Sequence, residues 1–184
     1  IGQLKNWLML PEKCSTFYVT QQILIRFNIT SECSNIAEEY PLANVSTSVT
    51  LIDPYTDEFT CEPVLNETSP AGYYNCTFNS TGKREGNWSI RINASKQYFL
   101  SNSTTWLNHF WLENIPANAT NASVSPESAG WSRIYNFSIA INDTEGDWIT
   151  CKLYISKDNQ ASWEYVDSYT LAGTPGITTK GTCW

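Results

Sequence analysis

Asparagine is the residue whose spacing says most about chemistry in this chain of 184 residues. Twelve asparagines open N-x-[ST] triplets with no proline in the middle: Asn28, Asn44, Asn66, Asn75, Asn79, Asn87, Asn93, Asn102, Asn118, Asn121, Asn136 and Asn142. Such a triplet offers the carboxamide nitrogen of its Asn for a glycosidic bond, and the hydroxyl two residues on completes the acceptor. With 17 Asn and 39 Ser or Thr in the chain, random order gives about 3 or 4 such triplets. The excess points to retained glycan acceptors, and so to an extracellular protein, secreted or held at the cell surface.

Cysteine is the second chemical signal. Six residues, Cys14, Cys33, Cys61, Cys76, Cys151 and Cys183, form an even set in a secreted-looking chain, which predicts three disulfides although six cysteines allow about 15 pairings. Proximity in sequence favours Cys14 with Cys33, Cys61 with Cys76, and Cys151 with Cys183. Zinc is disfavoured, because no C-x-x-C pair occurs and the single His109 is remote from every cysteine in sequence.

Two loops carry further polar groups. Asn142 to Asp147 gathers hard oxygen donors of the kind calcium takes, but without EF-hand spacing, so a turn capped by Asp is the favoured reading. Ser156 to Trp163 resembles the Asp-box hairpin of sialidases with Gln160 in place of its Gly, which predicts a hairpin in which Asp158 binds backbone amides and Trp163 packs. No cofactor is expected besides the glycans. An enzyme is not expected either: nucleophile-elbow, P-loop, H-E-x-x-H and dinucleotide motifs are absent, and the acidic pairs Glu38-Glu39 and Asp57-Glu58 point to opposite faces if they lie on strands.

Charge narrows the partners. A net charge of −7 with 11 basic residues disfavours nucleic acid and anionic lipid, which need clustered Lys and Arg. The apolar runs, such as Ile23-Leu24-Ile25, fall well short of the roughly 20 residues that cross a bilayer. The chain opens at Ile1 without a signal peptide, which reads as a processed form or a piece of something longer.

The elements that must position these groups are strands. Ile23, Ile25, Phe27 and Ile29 alternate with Arg26, Asn28 and Thr30. The same period of two recurs over Val45 to Leu51, Tyr73 to Asn79, Asn87 to Ala94, Tyr135 to Asn142 and Ile149 to Ile155. In each of these strands that carries sequons the acceptor Asn takes the polar phase, so strand register and glycosylation predict each other. Turn residues at Asp53-Pro54, Ser69 to Gly72, Gly82 to Gly86, Glu145 to Asp147 and Gly173 to Gly176 punctuate the strands. The chain is therefore expected to be all-β, with two tandem antiparallel sandwiches: residues 1–113, and a smaller domain over 114–184 whose first part, 114–126, is a linker.

The runs Gly72-Tyr-Tyr-Asn-Cys-Thr-Phe-Asn-Ser-Thr-Gly82, Glu85-Gly-Asn-Trp-Ser-Ile-Arg-Ile-Asn-Ala94, and Trp131 to Leu153 resemble the immunoglobulin-like or PKD-like repeats of archaeal cell-surface glycoproteins. The resemblance implies two immunoglobulin-like domains in a structural protein of surface layers, filaments or adhesion proteins. The second domain lacks one or two of the strands this likeness implies, which predicts an uncovered sheet or edge completed by a neighbouring subunit. The apolar start, residues 1–10, is the candidate donor strand for a head-to-tail polymer; alternatively it is the first strand of its own sandwich. The competing function is a monomeric adhesin or receptor ectodomain binding a protein or carbohydrate, with Trp106, Trp111 and Trp148 as candidate sugar platforms.

Overall fold

A computed structural model describes residues 2–32, 40–130, 132–174 and 179–183, with the side chains of residues 32, 40 and 179–183 excepted. Among the described residues there is no helix. The chain divides into two compact units, Ile1–Asn114 and Ile115–Trp184.

Unit 1 contains β1 (Gly2–Leu10), β2 (Ser15–Tyr18), β3 (Gln22–Glu32), β4 (Tyr40–Pro41), β5 (Ser46–Ile52), β6 (Glu58–Thr60), β7 (Leu65–Asn66), β8 (Tyr73–Asn79), β9 (Gly86–Ser95), β10 (Phe99–Leu100) and β11 (Asn102–Glu113). They form two sheets. The first runs β10-β1-β3-β8-β7 with β4 also on β3, and the second runs β2-β11-β9-β5-β6. Most pairs are antiparallel, whereas β1 with β10 and β2 with β11 are parallel.

Alternation puts one phase of each strand into a core shared by the sheets. Ile23, Ile25, Phe27 and Ile29 of β3 meet Val49 and Leu51 of β5 and Trp88, Ile90 and Ile92 of β9, all at 0% exposure. Trp88 is the hub, with ring centroids 5.4 Å from Phe59, 5.5 Å from Phe78 and 6.3 Å from Phe110. Its indole N–H donates to the Arg84 carbonyl at 3.0 Å, which satisfies the one polar atom such a side chain brings inside. Asn6 crosses between the sheets, its Nδ2 donating to the Ile92 carbonyl at 2.8 Å.

Cys61 follows β6 in the second sheet and Cys76 lies on β8 in the first, so their disulfide ties the two sheets together over a separation of 15 residues. This bridge is the one expected from proximity. Cys14 is an exposed free thiol, and Cys33, its expected partner, lies outside the described residues. Its amide donates to the His109 carbonyl at 2.7 Å and its φ is 66°, a local turn that leaves the side chain in solvent. Cys151 is disulfide-bonded, while Cys33 and the side chain of Cys183 lie outside the described residues.

The start of the chain is committed to unit 1. β1 pairs with β3 from Gln3↔Glu32 to Leu10↔Arg26 and buries Leu4 at 0% and Asn6 at 8% exposure. Residues 2–10 are thus a strand of their own sheet, the alternative to the donor strand; Ile1 lies outside the described residues.

Unit 2 contains β12 (Asn118–Ser125), β13 (Asn136–Asp143), β14 (Ile149–Ile155), β15 (Glu164–Leu171) and β16 (Thr179–Cys183), in a β12-β13-β16 sheet and a β14-β15 pair. The expected linker is corrected in part. Residues 118–125 form a strand registered on β13 from Asn118↔Asn142 to Ser125↔Asn136, because backbone pairing needs no large side chains. Among the described residues of unit 2, Ile141, at 8% exposure, is the only buried apolar side chain. A unit this short buries little apolar surface by itself.

Candidate functional site

The twelve acceptor asparagines are placed by strand phase. Asn44, Asn66, Asn79, Asn87, Asn118, Asn121 and Asn136 are exposed, and Asn28, Asn75, Asn93, Asn102 and Asn142 are partly exposed; none is buried. Asn28 lies between buried Phe27 and Ile29, Asn75 between Tyr74 and Cys76, and Asn93 between Ile92 and Ala94, so each points away from the core. Asn102 departs from this rule. It opens β11 opposite Ala94, on the phase of Trp106 that packs against the core, and owes its exposure to the strand end.

Several acceptor amides already have partners. Asn75 Nδ2 donates to Glu67 Oε1 at 3.0 Å, and Glu67 also takes both arms of Arg26 at 2.8 and 2.7 Å. The Arg26 guanidinium, followed by the Asn75 amide, lowers the Glu67 carboxyl to about 2. Asn93 Nδ2 donates to Ser48 Oγ at 3.2 Å, and both residues line a groove of about 320 Å³ on the second sheet with Ser46, Asn102 and Ser103. By contrast, the Oδ1 atoms of Asn28 and Asn142 are buried without a hydrogen-bond partner. An orphaned carbonyl of this kind costs about 1–3 kcal/mol.

The acidic loop is assembled as a closed turn. Asp143 Oδ1 accepts from the amides of Glu145, Gly146 and Asp147 at 3.1, 2.8 and 3.0 Å, and both Glu145 carboxylate oxygens accept from the Ile115 amide at 3.0 and 2.9 Å. One carboxylate oxygen each from Asp143, Glu145 and Asp147 falls within 4.8 Å of the others. Asn142, on the opposite phase of β13, is not among them. Gly173 is required here, since a Cβ would collide with the backbone carbonyls of Gly146 and Asp147.

The hairpin at Ser156 forms as a polar staple. Asp158 Oδ1 accepts from the Ser162 amide at 2.9 Å and from Ser156 Oγ at 2.8 Å, and the Ser162 hydroxyl donates to its Oδ2 at 2.5 Å. These bonds, the Ser162 hydroxyl foremost, lower the Asp158 carboxyl to about 2. Trp163 does not pack as expected: it is 59% exposed, because the staple closes through backbone amides without it. His109 is buried, and its Nε2 stands 2.9 Å from the Pro11 carbonyl, so that nitrogen carries the proton.

The acceptors also leave a surface open. No sequon lies on β14, β15 or β16. From Glu164 to Thr170 every residue of β15 is exposed, including Tyr165, Val166 and Tyr169, and on β14 Tyr154 is exposed with its ring 5.7 Å from that of Tyr165. Among the described residues β15 pairs only with β14. Of the candidate sugar platforms, Trp106 packs on the core of unit 1, Trp111 lies on the outer face of its second sheet, and Trp148, in unit 2, is exposed. No protein-family model matches the chain, and no curated protein matches it.

Sequence reading missed the neighbours of the acceptors. Trp7 stands directly opposite Asn28 across β1 and β3, and Trp111 directly opposite Asn87 across β11 and β9. A Trp on the solvent phase of a strand was the available signal, but its partner depends on a register between segments far apart in sequence.

Proposed function

We propose that this chain is a structural subunit of an N-glycosylated extracellular assembly, a surface filament or lattice, in which neighbours meet at the β14-β15 pair of unit 2. The observation that carries this reading is the division of the surface. The acceptors lie on β3, β7, β8, β9, β11 and the approach to β5 in unit 1 and on β12 and β13 in unit 2, and none falls on the exposed aromatic pair β14-β15. Glycans keep neighbours away from the edges they flank, so the surface free of them is the one available for contact. A strand that pairs only with β14 among the described residues and carries exposed aromatics suits strand addition.

The immunoglobulin-like reading belongs to this proposal. In its favour, unit 1 joins two sheets by a disulfide around a central Trp88, and Tyr74 lies two residues before Cys76 with its hydroxyl donating to the Leu42 carbonyl at 2.8 Å and accepting from the Val45 amide at 2.9 Å. That resembles the tyrosine corner of such sandwiches. The bridge departs from the pattern, since Cys61 lies beyond an edge strand rather than on an inner one. Because β1 is occupied at home, the neighbour joins along β15 and not by donating residues 1–10.

The test is the mass of the glycosylated protein in solution, by light scattering and negative-stain imaging. Concentration-dependent rods or sheets support the subunit reading. A strict monomer that binds a glycan or protein ligand through Tyr165 and Tyr169 favours the adhesin or receptor reading.

A further inference from the structure

Unit 1 has two half-exposed tryptophans, Trp7 at 47% and Trp111 at 41% exposure. They belong to different sheets. Trp7 is the registered partner of Asn28, and Trp111 the registered partner of Asn87. Both asparagines open sequons. Directly paired residues share one face of a sheet with their Cβ atoms about 4.5–5.5 Å apart, so each tryptophan and its acceptor asparagine are cross-strand neighbours on one face.

At Asn28 an aromatic residue is registered on either side. The Trp7 indole N–H donates to Thr30 Oγ1 at 3.0 Å, which holds the ring alongside the triplet and leaves Thr30 only 4% exposed. On the other side Tyr73 is the registered partner of Asn28, and its ring is overlaid by the Arg26 guanidinium 4.9 Å from the centroid. The Asn28 Oδ1 is itself buried and has no hydrogen-bond partner. At Asn87 the shared feature is the buried triplet hydroxyl: Ser89 is 8% exposed and accepts from the Asn108 amide at 2.9 Å.

We infer that Trp7 and Trp111 are docking platforms for the first sugars attached at Asn28 and Asn87. The inference rests on the glycoprotein reading above. A pyranose ring has an apolar face of C–H groups that covers an indole, removing apolar surface of both from water. A sugar on Asn28 therefore shields Trp7 from water, and one on Asn87 shields Trp111. The two glycans are therefore part of the packing of unit 1.

Hydroxyl-radical footprinting of the whole chain reads this residue by residue, with Tyr98, 81% exposed, as reference. The glycosylated protein is compared with Asn28→Gln, with Asn87→Gln and with chain made in a host that does not N-glycosylate, and glycopeptide masses give occupancy. The expected result is severalfold faster oxidation of Trp7 in Asn28→Gln and of Trp111 in Asn87→Gln, each without change at the other ring. Occupied sites with unchanged oxidation overturn the inference and leave the glycoprotein reading standing. So does an empty Asn28 and Asn87 beside occupied acceptors elsewhere. If no acceptor is occupied, both readings fall.

Discussion

At the scale of single residues, stability should report on a few carboxylates. The Glu67 carboxyl is lowered from its usual range to about 2 by Arg26 and then by Asn75. A lowered value in the folded state means that its stabilisation is complete above the unfolded value of about 4.3 and is lost as pH falls from there through about 2. Thermal melts should therefore show the parent protein losing more stability than Glu67→Gln over that acid range. Equal slopes for the two proteins would remove Glu67 from the acid response. Asp143 acts through three amides instead. Asp143→Ala should cost about 3 kcal/mol in chemical denaturation of unit 2, and because the turn closes on its own amides, added calcium should leave the melting temperature of the parent unchanged. A calcium-dependent rise would show that the three carboxylates bind metal.

At the scale of elements, the alternating segments were legible because a half-buried strand writes its phase into its sequence: Ile23 to Ile29 and Trp88 to Ala94 pack as that phase requires. Three things were not. The place of β1 depends on Asn6 reaching Ile92 across the core, a contact over 86 residues that no local pattern encodes. The strand over 118–125 was hidden by its Ala, Ser and Asn composition, since its structure comes from the backbone of β13. The exposure of the aromatic strand β15 is the third, since its Tyr165, Val166 and Tyr169 read in sequence as core candidates. The Cys61–Cys76 bridge was readable, and it should matter: Cys61→Ser with Cys76→Ser should lower stability by about 3 kcal/mol for a loop of this length. Denaturant unfolding under non-reducing conditions checks it, and an unchanged midpoint would mean the aromatic cluster around Trp88 alone joins the sheets.

For the whole molecule, the contrast between the units decides the reading. Unit 1 encloses a full apolar core under outward-facing acceptors, while unit 2 presents β15 exposed on both phases and free of sequons. The acceptor pattern was visible in the sequence; that the acceptor-free tract forms an exposed pair of strands was not, because exposure depends on what fails to pack above it. The most direct test places a glycan on that surface. Val166→Asn completes a triplet with Ser168 in the middle of β15, where Val166 is 49% exposed. Light scattering of the glycosylated parent and of this variant across a concentration series should show association of the parent and a monomeric variant carrying the extra glycan. A parent that stays monomeric, or a glycosylated variant that associates as strongly as the parent, would contradict the account.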